Sequence, residues 1–324
     1  MDNSENVAIG RLASAHDPLR VLIIEDSKGD VILIKKAIAR AMPEGCDVGE
    51  ASNMQEALRL LSDKKFDVAL LDRSLPDTEG FEGLYSLQNM APQLPVIFIT
   101  SYSDEKTAFE AIEKGAQDYL FKDKVDGHTI RRAIQYALLR KQFEGVLIMR
   151  ANYDMLTGLA NRSLFENRLD LALARIRRYR GCIAVMFLDL NRFKHVNDTY
   201  GHAMGDKLLK EVGVRLSKIL RPNDTVARFG GDEFAILLEG MTNPDNGDII
   251  AGKIIKSLDT PFSILGQNIE IGVSIGIATA EVSVADGKAV LNAKELMKAS
   301  DEQMYKAKTS KQSAFQRCAG PVSF

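Results

Sequence analysis

The segment from Val226 to Leu238 reads VARFGGDEFAILL. Two runs rich in apolar, strand-forming residues flank a Gly-Gly pair, and this composition is typical of a tight hairpin whose central residues adopt positive φ. Asp232 and Glu233 follow directly. Because glycine has no side chain, a phosphorylated ligand can approach the backbone there while the carboxylates hold a hard cation. This geometry suits a nucleotide site, although Gly-Gly-Asp alone favours an ordinary exposed hairpin with acidic residues.

The chain has 324 residues and a formal net charge of −2, and this length predicts two domains. Because the charges nearly balance, we expect no nucleic acid partner. No apolar run has the length of a membrane span, and the first residues carry acids where a secretory signal has Lys or Arg. We therefore expect a cytoplasmic protein without membrane insertion. The widely separated Cys46, Cys182 and Cys318 favour reduced thiols.

The first half of the chain alternates short apolar runs with helical patterns, after a polar segment, 1–18, that we expect to be a mobile tail. The runs are 21–24, 68–71, 96–99 and 118–121, and the main helical patterns are 31–41, 54–62 and 105–114. This alternation predicts a doubly wound α/β domain over residues 19–128. In such domains the functional site lies at the carboxyl ends of the strands.

Polar residues stand where these runs end. They are Glu25 and Asp26, then Asp72, Thr100 and Lys122. Clustered carboxylates of this kind bind Mg²⁺, or Mn²⁺, and one of them can accept a phosphoryl group. A solvated loop acid is the alternative for each residue alone, but five coincident positions favour a site.

This arrangement resembles the receiver domain of two-component response regulators, which implies a five-stranded parallel sheet. The resemblance implies Asp72 as phosphoacceptor, Glu25, Asp26 and Asp72 as metal ligands, Thr100 and Tyr119 as switch residues, and Lys122 as the phosphate partner. Leu75-Pro76-Asp77 and Gly80 match the loop after the acceptor, whereas Asp123 occupies a position where the family usually has proline. The implied partner is a sensor histidine kinase or a phosphotransfer protein.

Residues 129–152 read as one helix that links the two domains. Its apolar positions are Ile130, Ile134, Ala137, Leu138, Phe143, Val146 and Leu147. Their spacing is an imperfect heptad, so a coiled-coil dimer and a final receiver helix packed on its own domain are both open. We expect a helix that does both.

In the second half, GGDEF at 230–234, preceded by Arg228-Phe229, resembles the signature hairpin of the GGDEF family of diguanylate cyclases. The string DMLTGLANR at 154–162, a predicted closing strand at 269–278 and residues 301–308 also match that family. The resemblance implies an α/β domain over 153–315, similar to nucleotide cyclases and polymerase palms. A short tail, 316–324, follows.

The apolar run 183–188 predicts a buried strand that reaches Asp189 beside the hairpin. Asp189 and Asp232 would then meet at adjacent strand ends and bind Mg²⁺ or Mn²⁺, together with the main-chain oxygen of Leu190. Asp232 or Glu233 can assist deprotonation of a hydroxyl, so both are candidate catalytic residues.

The loop after this strand offers groups that suit GTP. Backbone amides of Arg192 and Phe193, with Lys194, can hold a triphosphate. Asn197 and Asp206 suit the edge of guanine, since a carboxylate accepts from its ring N–H and its amine. The resemblance implies the same roles. The full predicted substrate-binding set is Arg192, Phe193, Lys194, Asn197, His202, Asp206, Gly230, Gly231 and Lys308, and Asn191 stands where the family often has Asp.

The resemblance implies a homodimeric enzyme that condenses two GTP into cyclic di-GMP and two pyrophosphates, activated by phosphorylation of the receiver. The alternative is a weak or inactive GGDEF domain that acts as a receptor for GTP or cyclic di-GMP. Lys311-Gln312-Ser313 favours that alternative, because the family commonly has Gly-Arg-Asn there and an expected phosphate-binding arginine is missing.

An Arg-x-x-Asp spacing at Arg221 and Asp224 matches the family's inhibitory site for cyclic di-GMP. The arginine fork can bind a phosphate or the Hoogsteen edge of guanine, and the carboxylate can accept from guanine. A surface turn with an ion pair is the alternative. Lys253 falls where the family often supplies another arginine.

Overall fold

The computed structural model describes residues 18–101, 105–179, 181–281, 292–309 and 314–318. The chain divides into two compact units, one ending at Leu147 and one beginning at Ile148. Among the described residues, no helix combines the length and the apolar character needed to cross a bilayer. Cys46, Cys182 and Cys318 are free thiols.

The first unit alternates strands and helices, as predicted. Its elements are β1 Leu19–Ile24, α1 Lys28–Ala41, β2 Cys46–Ala51, α2 Met54–Asp63, β3 Val68–Asp72, α3 Glu82–Met90, β4 Val96–Thr100, α4 Glu105–Glu113, β5 Asp118–Phe121 and α5 Gly127–Asn152. A short 3₁₀ turn, Lys122–Lys124, follows β5. The five strands are all parallel in the order β2-β1-β3-β4-β5, which confirms the doubly wound five-stranded sheet.

Both faces of this sheet are covered by helices, so its central strands are continuous apolar runs. Alternate residues of β1, such as Val21 and Ile23, face α1 and α5, while Leu22 and Ile24 face the side of α2, α3 and α4. Because all strands are parallel, their carboxyl ends form one edge of the sheet, and the polar residues that follow them lie there.

Helix α5 has two different halves. Ile130 and Ile134 are buried in the core of the first unit. Further along, Phe143 and Leu147 are 60% and 64% exposed. The first half is therefore packed on the first sheet, and the second half carries apolar side chains that the described residues leave exposed.

The second unit contains a mostly antiparallel sheet between helices. Its elements are α6 Arg162–Tyr179, β6 Cys182–Asn191, α7 Phe193–Tyr200, α8 His202–Ile219, β7 Thr225–Gly230, β8 Glu233–Met241, α9 Asn246–Leu258, β9 Phe262–Ile264, β10 Gln267–Ile269, β11 Gly272–Glu281, α10 Ala293–Lys308 and β12 Ala314–Arg317. The strand order is β12-β11-β6-β8-β7, and β9 and β10 form a separate hairpin. The predicted closing strand 269–278 is wrong at its start, because Ile269 ends β10 and a break at 270–271 precedes β11.

The central strand β6 is buried over nine of its ten residues, and it has a helical layer on each face. Met186 and Leu188 pack on the side of α8 and α9, and Val185 and Phe187 pack on the side of α6 and α10. Because side chains alternate along a strand, Asp189 falls on the same face as Phe187, the face that α10 covers.

Candidate functional site

At the carboxyl edge of the first sheet, the Lys122 ammonium lies among three carboxylates. Its Nζ is 2.7 Å from Glu25 Oε2, 3.0 Å from Asp72 Oδ1 and 2.9 Å from Asp30 Oδ2. Glu25 and Asp72 are buried. Burial alone would lower the pKa of Lys122, but the hydrogen bonds to the three acids raise it above its ordinary value. The ammonium therefore stays charged.

The acids of this edge fit a divalent cation. Glu25, Asp26 and Asp72 each offer a carboxylate oxygen, and these atoms lie within 4.8 Å of one another. Burial raises the pKa of Glu25 and of Asp72, and Lys122 only partly opposes that effect. Two buried carboxylates beside one ammonium favour a further cation, and oxygen ligands suit Mg²⁺ or Mn²⁺.

A cavity of about 130 Å³ adjoins Asp72, and its lining includes Thr100 and Lys122. Thr100 is buried at the end of β4. Tyr119 is half-buried, and its ring lies 5.9 Å from that of Phe109 and 5.3 Å from that of Phe121. The structure thus brings the predicted acceptor, hydroxyl and lysine around one cavity.

In the second unit, the Gly-Gly hairpin forms as predicted between β7 and β8. Gly230 has φ 143° and Gly231 has φ 53°, values that an L side chain rarely adopts. The Arg228 guanidinium donates two hydrogen bonds to the Gly231 carbonyl, through Nε at 3.1 Å and Nη2 at 2.8 Å. The turn that carries the acids is therefore held by a side chain of its own strand.

The same guanidinium connects the turn to the entry string. Arg228 Nη1 lies 3.0 Å and 3.1 Å from the two carboxylate oxygens of Asp154, which also accepts from Thr157. Burial raises the pKa of Asp154, but the hydrogen bonds from Thr157 and Arg228 outweigh burial and lower it. Phe229 packs edge-on against Phe165 and Phe187. The residues before the glycines thus anchor the hairpin.

The acid pair lies where β6 and β8 adjoin. Asp189 is opposite Glu233 in the strand register, and the Leu190 amide donates to the Asp232 carbonyl at 3.3 Å. Lys308 Nζ, from α10, is 2.7 Å from Asp189 Oδ2. The other oxygen of Asp189, Oδ1, is buried and has no hydrogen-bond partner among the residues that the structure describes. A buried carboxylate oxygen without a donor fits a metal ligand.

The clustered carboxylates at this end of the sheet also favour a bound cation. Burial raises the pKa of Asp232, and the charge of Asp189 adds to that effect. Burial raises the pKa of Glu233 as well, with contributions from Asp189, Asp232 and Asp301. The residues present therefore fit a divalent cation such as Mg²⁺ or Mn²⁺.

The predicted phosphate loop contains a strained residue. Arg192 has φ 62°, in the left-handed region, and it directly precedes α7, whose first residue is Phe193. Residues held in this region cost of order 1–3 kcal/mol and cluster at functional sites. The backbone turns there so that the first amides of α7 can face a ligand, and Lys194 is exposed beside them.

The predicted guanine-binding residues lie on α7 and α8. An added Cβ at Gly205 would lie 1.9 Å from Asn197 Oδ1, so only glycine leaves room for that amide. Asp206 and His202 are exposed on α8. Asn191 accepts a hydrogen bond from the Ser274 hydroxyl at 2.8 Å, which ties it to β11 and away from a ligand role.

The Arg221 and Asp224 pair lies at the other end of β7 from the glycines. Asp224 accepts from the Arg221 amide at 2.9 Å and from the Glu239 amide at 3.3 Å. Arg221 is exposed, as is Lys253 on α9. The binding role predicted for this pair remains a prediction, and Lys311 and Gln312 lie outside the described residues.

Three residues of these sites were not predicted from the sequence. Asp30 has no place in an apolar run, and its position in the first turn of α1 is the only signal. Asp154 is within a matched string, but its pairing with a residue 74 positions away has no sequence pattern. Asp301 stands seven residues before Lys308, which puts both on one face of α10.

Comparison with known proteins agrees with this geometry. Residues 151–314 match the family model of the diguanylate cyclase GGDEF domain, and residues 21–135 match that of the response regulator receiver domain. The chain is 42% identical over 162 residues to the bifunctional diguanylate cyclase/cyclic di-GMP phosphodiesterase MucR of Pseudomonas aeruginosa, covering 50% of this chain and 23% of MucR. It is 25% identical over 304 residues to the response regulator PleD of Caulobacter vibrioides, covering 91% of this chain and 65% of PleD.

Among solved structures, the coiled coil and GGDEF domain of DgcB from Caulobacter crescentus, in complex with c-di-GMP, has a TM-score of 0.51 and 25% identity. The match covers 59% of this chain and 97% of that one. The chain spans less than two thirds of the length of these curated relatives. The family matches cover both units, and the chain therefore belongs to the GGDEF family, with a response regulator receiver domain ahead of its GGDEF domain.

Proposed function

We propose that this protein is a response regulator whose GGDEF domain condenses two GTP into cyclic di-GMP and two pyrophosphates. The observation that carries the proposal is the buried Asp189 carboxylate, which has Lys308 on one oxygen and no partner on the other, next to Asp232. Asp232 and Glu233, two further acids with raised pKa values, lie at the same end of the sheet. An open buried oxygen beside a lysine suits a site for a metal-bound triphosphate.

In this proposal, Asp189, Asp232 and the Leu190 carbonyl hold Mg²⁺ or Mn²⁺. When bound, the cation neutralises charge on the triphosphate. Lys308 brings an ammonium to the same carboxylate, where it can also donate to a phosphate oxygen. The Arg192 and Phe193 amides and Lys194 bind the remaining phosphates, since the N-terminus of a helix favours anions.

Other groups position the guanine base and the reacting 3′-hydroxyl of GTP. Asn197 and Asp206 bind the edge of guanine, and His202 belongs to the same substrate-binding set. Gly230 and Gly231 have no side chains and leave room for the nucleotide. Glu233 and Asp232 have raised pKa values, which suit a base that takes a proton from a 3′-hydroxyl.

Each GGDEF domain binds one GTP in this mechanism, so two copies of the domain must face each other. The 3′-oxygen of each nucleotide attacks the α-phosphorus of the other and displaces pyrophosphate, in line with the departing oxygen. A single copy therefore carries all the binding groups but cannot complete the product. The active form is a homodimer.

We further propose that phosphorylation of Asp72 by a sensor histidine kinase or phosphotransfer protein promotes that dimer. Four exposed apolar residues of α5, Tyr136, Leu139, Phe143 and Leu147, support this proposal. They recur at spacings of three and four, as in the seam of a two-stranded coiled coil. Thr100 and Lys122 are placed to respond to a phosphoryl group on Asp72.

A receptor that binds GTP or cyclic di-GMP without turnover is the second candidate, and Gln312, in place of the family arginine, favours it. One assay separates the two. The full chain is incubated with GTP and Mg²⁺ in the presence of beryllofluoride, and nucleotides are separated by chromatography with mass detection. An enzyme forms cyclic di-GMP and pyrophosphate in a one-to-two ratio, and chelation by EDTA stops the reaction. Bound but unchanged GTP contradicts the cyclase proposal.

A further inference from the structure

The unusual feature of the first unit is a third acid on Lys122. An ammonium has three N–H donors, and in this protein Glu25, Asp30 and Asp72 lie within 3.0 Å of Nζ. The ammonium donates a hydrogen bond to Asp30 Oδ2 at 2.9 Å, and the Glu25 and Asp72 oxygens lie at ion-pair distance. Of the three acids, Asp30 alone is neither an expected metal ligand nor the expected phosphoacceptor.

The local structure of α1 explains why Asp30 reaches the lysine. Ser27 is the N-cap, and its hydroxyl accepts from the Asp30 amide at 3.4 Å. In a full capping box, the acid at this position bonds back to the amide of the N-cap residue. Here the Ser27 amide donates to Glu25 Oε1 at 3.1 Å instead. The Asp30 carboxylate is thus released from its capping role and is available to Lys122.

The charge at this edge is strongly unbalanced. Glu25, Asp26, Asp30 and Asp72 are four acids at this edge, whereas the positive groups named there are Lys122 and Arg73, which lines the adjoining cavity. An aspartyl phosphate adds roughly one further negative charge to the acceptor. The Asp30 charge lies close to the same ammonium, so it opposes that addition without contacting the phosphoryl group itself.

We propose that Asp30 is a positioning residue that weakens phosphoryl binding at Asp72, because it partly neutralises the Lys122 ammonium that the phosphoryl group must use. This inference rests on the proposed role of Asp72 as phosphoacceptor. The lysine and Asp30 side chains are 27% and 32% exposed, so water screens part of the effect. The acid keeps the phosphorylated state easy to reverse.

The test measures occupancy of the full chain by beryllofluoride at saturating Mg²⁺, with ¹⁹F NMR over a range of concentrations. Asp30→Asn keeps an oxygen acceptor for Lys122 and removes the charge, so it should bind beryllofluoride about fivefold more tightly than the wild type. Asp30→Glu, which restores the charge, should return to wild-type affinity. Glu50→Gln is the control, because it removes an acid that pairs with Lys35 elsewhere on this unit.

The direction of the change separates this role from damage to the fold. Loss of a helix-capping or packing contribution lowers affinity or stability, and it does not produce tighter binding. Equal or weaker binding by Asp30→Asn, with wild type still occupied, overturns this inference alone. Absence of bound beryllofluoride in wild type and variants alike overturns the phosphoacceptor role of Asp72 as well.

Discussion

Each of the two units of the chain places a lysine against buried acids, but the number of acids around the lysine differs. At the edge of the receiver sheet, Lys122 lies within 3.0 Å of carboxylate oxygens from three acids. At the end of β6, Lys308 forms an ion pair with a single acid, Asp189, among the described residues. The first arrangement closes around a cavity of about 130 Å³, which suits a group as small as a phosphoryl.

The second arrangement stays open toward a larger ligand. Lys194 and Asp206, the expected phosphate and guanine contacts, are exposed, and the Gly-Gly turn adds no side chains. The difference follows from the sheets. Parallel strands bring several carboxyl ends to one edge, so a compact site forms within one domain. In the antiparallel sheet, Asp189 near the end of β6 lies beside the β7–β8 turn that carries Asp232 and Glu233. In the proposed mechanism, a second copy of the domain supplies the other nucleotide.

The largest effect is expected from the open carboxylate. Asp189→Asn and Asp232→Asn should each lower cyclic di-GMP formation by about a thousandfold, because charge neutralisation by a metal contributes several kcal/mol to the transition state. Product formation from GTP is followed by chromatography. Asp170→Asn, an exposed acid on α6, serves as the control and should retain activity. Wild-type turnover by Asp232→Asn would remove the basis for the comparison between the two lysine sites.

A smaller effect is expected from the brace of the hairpin. Arg228→Gln loses the bonds to Gly231 and Asp154, so the acidic turn should shift and activity should fall about ten- to hundredfold. Stability should fall by about 2 kcal/mol, as measured by thermal unfolding, since the lost hydrogen bonds involve charged groups. The matched control is Arg175→Gln, which breaks the exposed pair with Glu239. Unchanged activity in Arg228→Gln would show that the β7–β8 turn keeps its conformation without the hydrogen bonds of the arginine.

The same residues show how far sequence reasoning extends. Apolar runs predicted β1, β3, β4 and β5, because buried parallel strands are continuously hydrophobic. Strand β2, with the sequence CDVGEA, has no such run, since it is a half-exposed edge strand. The resemblance to receivers supplied it. The sequence does not indicate the break at 270–271, because the strand-like alternation of Ile269, Ile271 and Val273 continues through it.

Long-range contacts mark the limit of local patterns. Lys308 and Asp189 are 119 residues apart, and the sequence predicted a substrate contact for the one and a metal for the other, not the ion pair between them. Arg228 and Asp154 each belong to a matched string, yet neither string contains a pattern that predicts the ion pair between them. The contact between Asp30 and Lys122 depends on whether the Ser27 amide donates to Asp30 or to Glu25. The position of Glu25 in the folded protein decides this.

The proposal that only the GGDEF site requires a second copy is the third point that can be tested. Phe143→Gln with Leu147→Gln should weaken the α5 seam and lower cyclase activity about tenfold at micromolar protein, while beryllofluoride binding at Asp72 stays unchanged. Leu171→Gln is the control, as it removes an equally exposed leucine from α6. Oligomer size is measured by light scattering. Equal loss at both sites would show that the seam substitutions damage the fold.

The smallest effect is expected at the Arg221 and Asp224 pair, which we propose as a second, inhibitory site for cyclic di-GMP. Both Asp224 oxygens accept from backbone amides, so the carboxylate is fixed in place and a substitution there would disturb the turn. Arg221 is exposed, and Arg221→Ala is the cleaner change. A carboxylate has about four acceptor positions, so two amides leave room for guanine.

Arg221→Ala should raise the cyclic di-GMP concentration for half-inhibition about fivefold, because an exposed arginine fork contributes about 1 kcal/mol to phosphate or guanine binding. Inhibition is titrated at saturating GTP, where a ligand at the substrate site would be displaced and a ligand at a separate site would not. Lys253→Ala tests whether α9 contributes, with a smaller expected shift. If both variants and the wild type are inhibited equally, product acts at the open GTP site, and the turn before β7 is only a surface turn stabilised by Asp224.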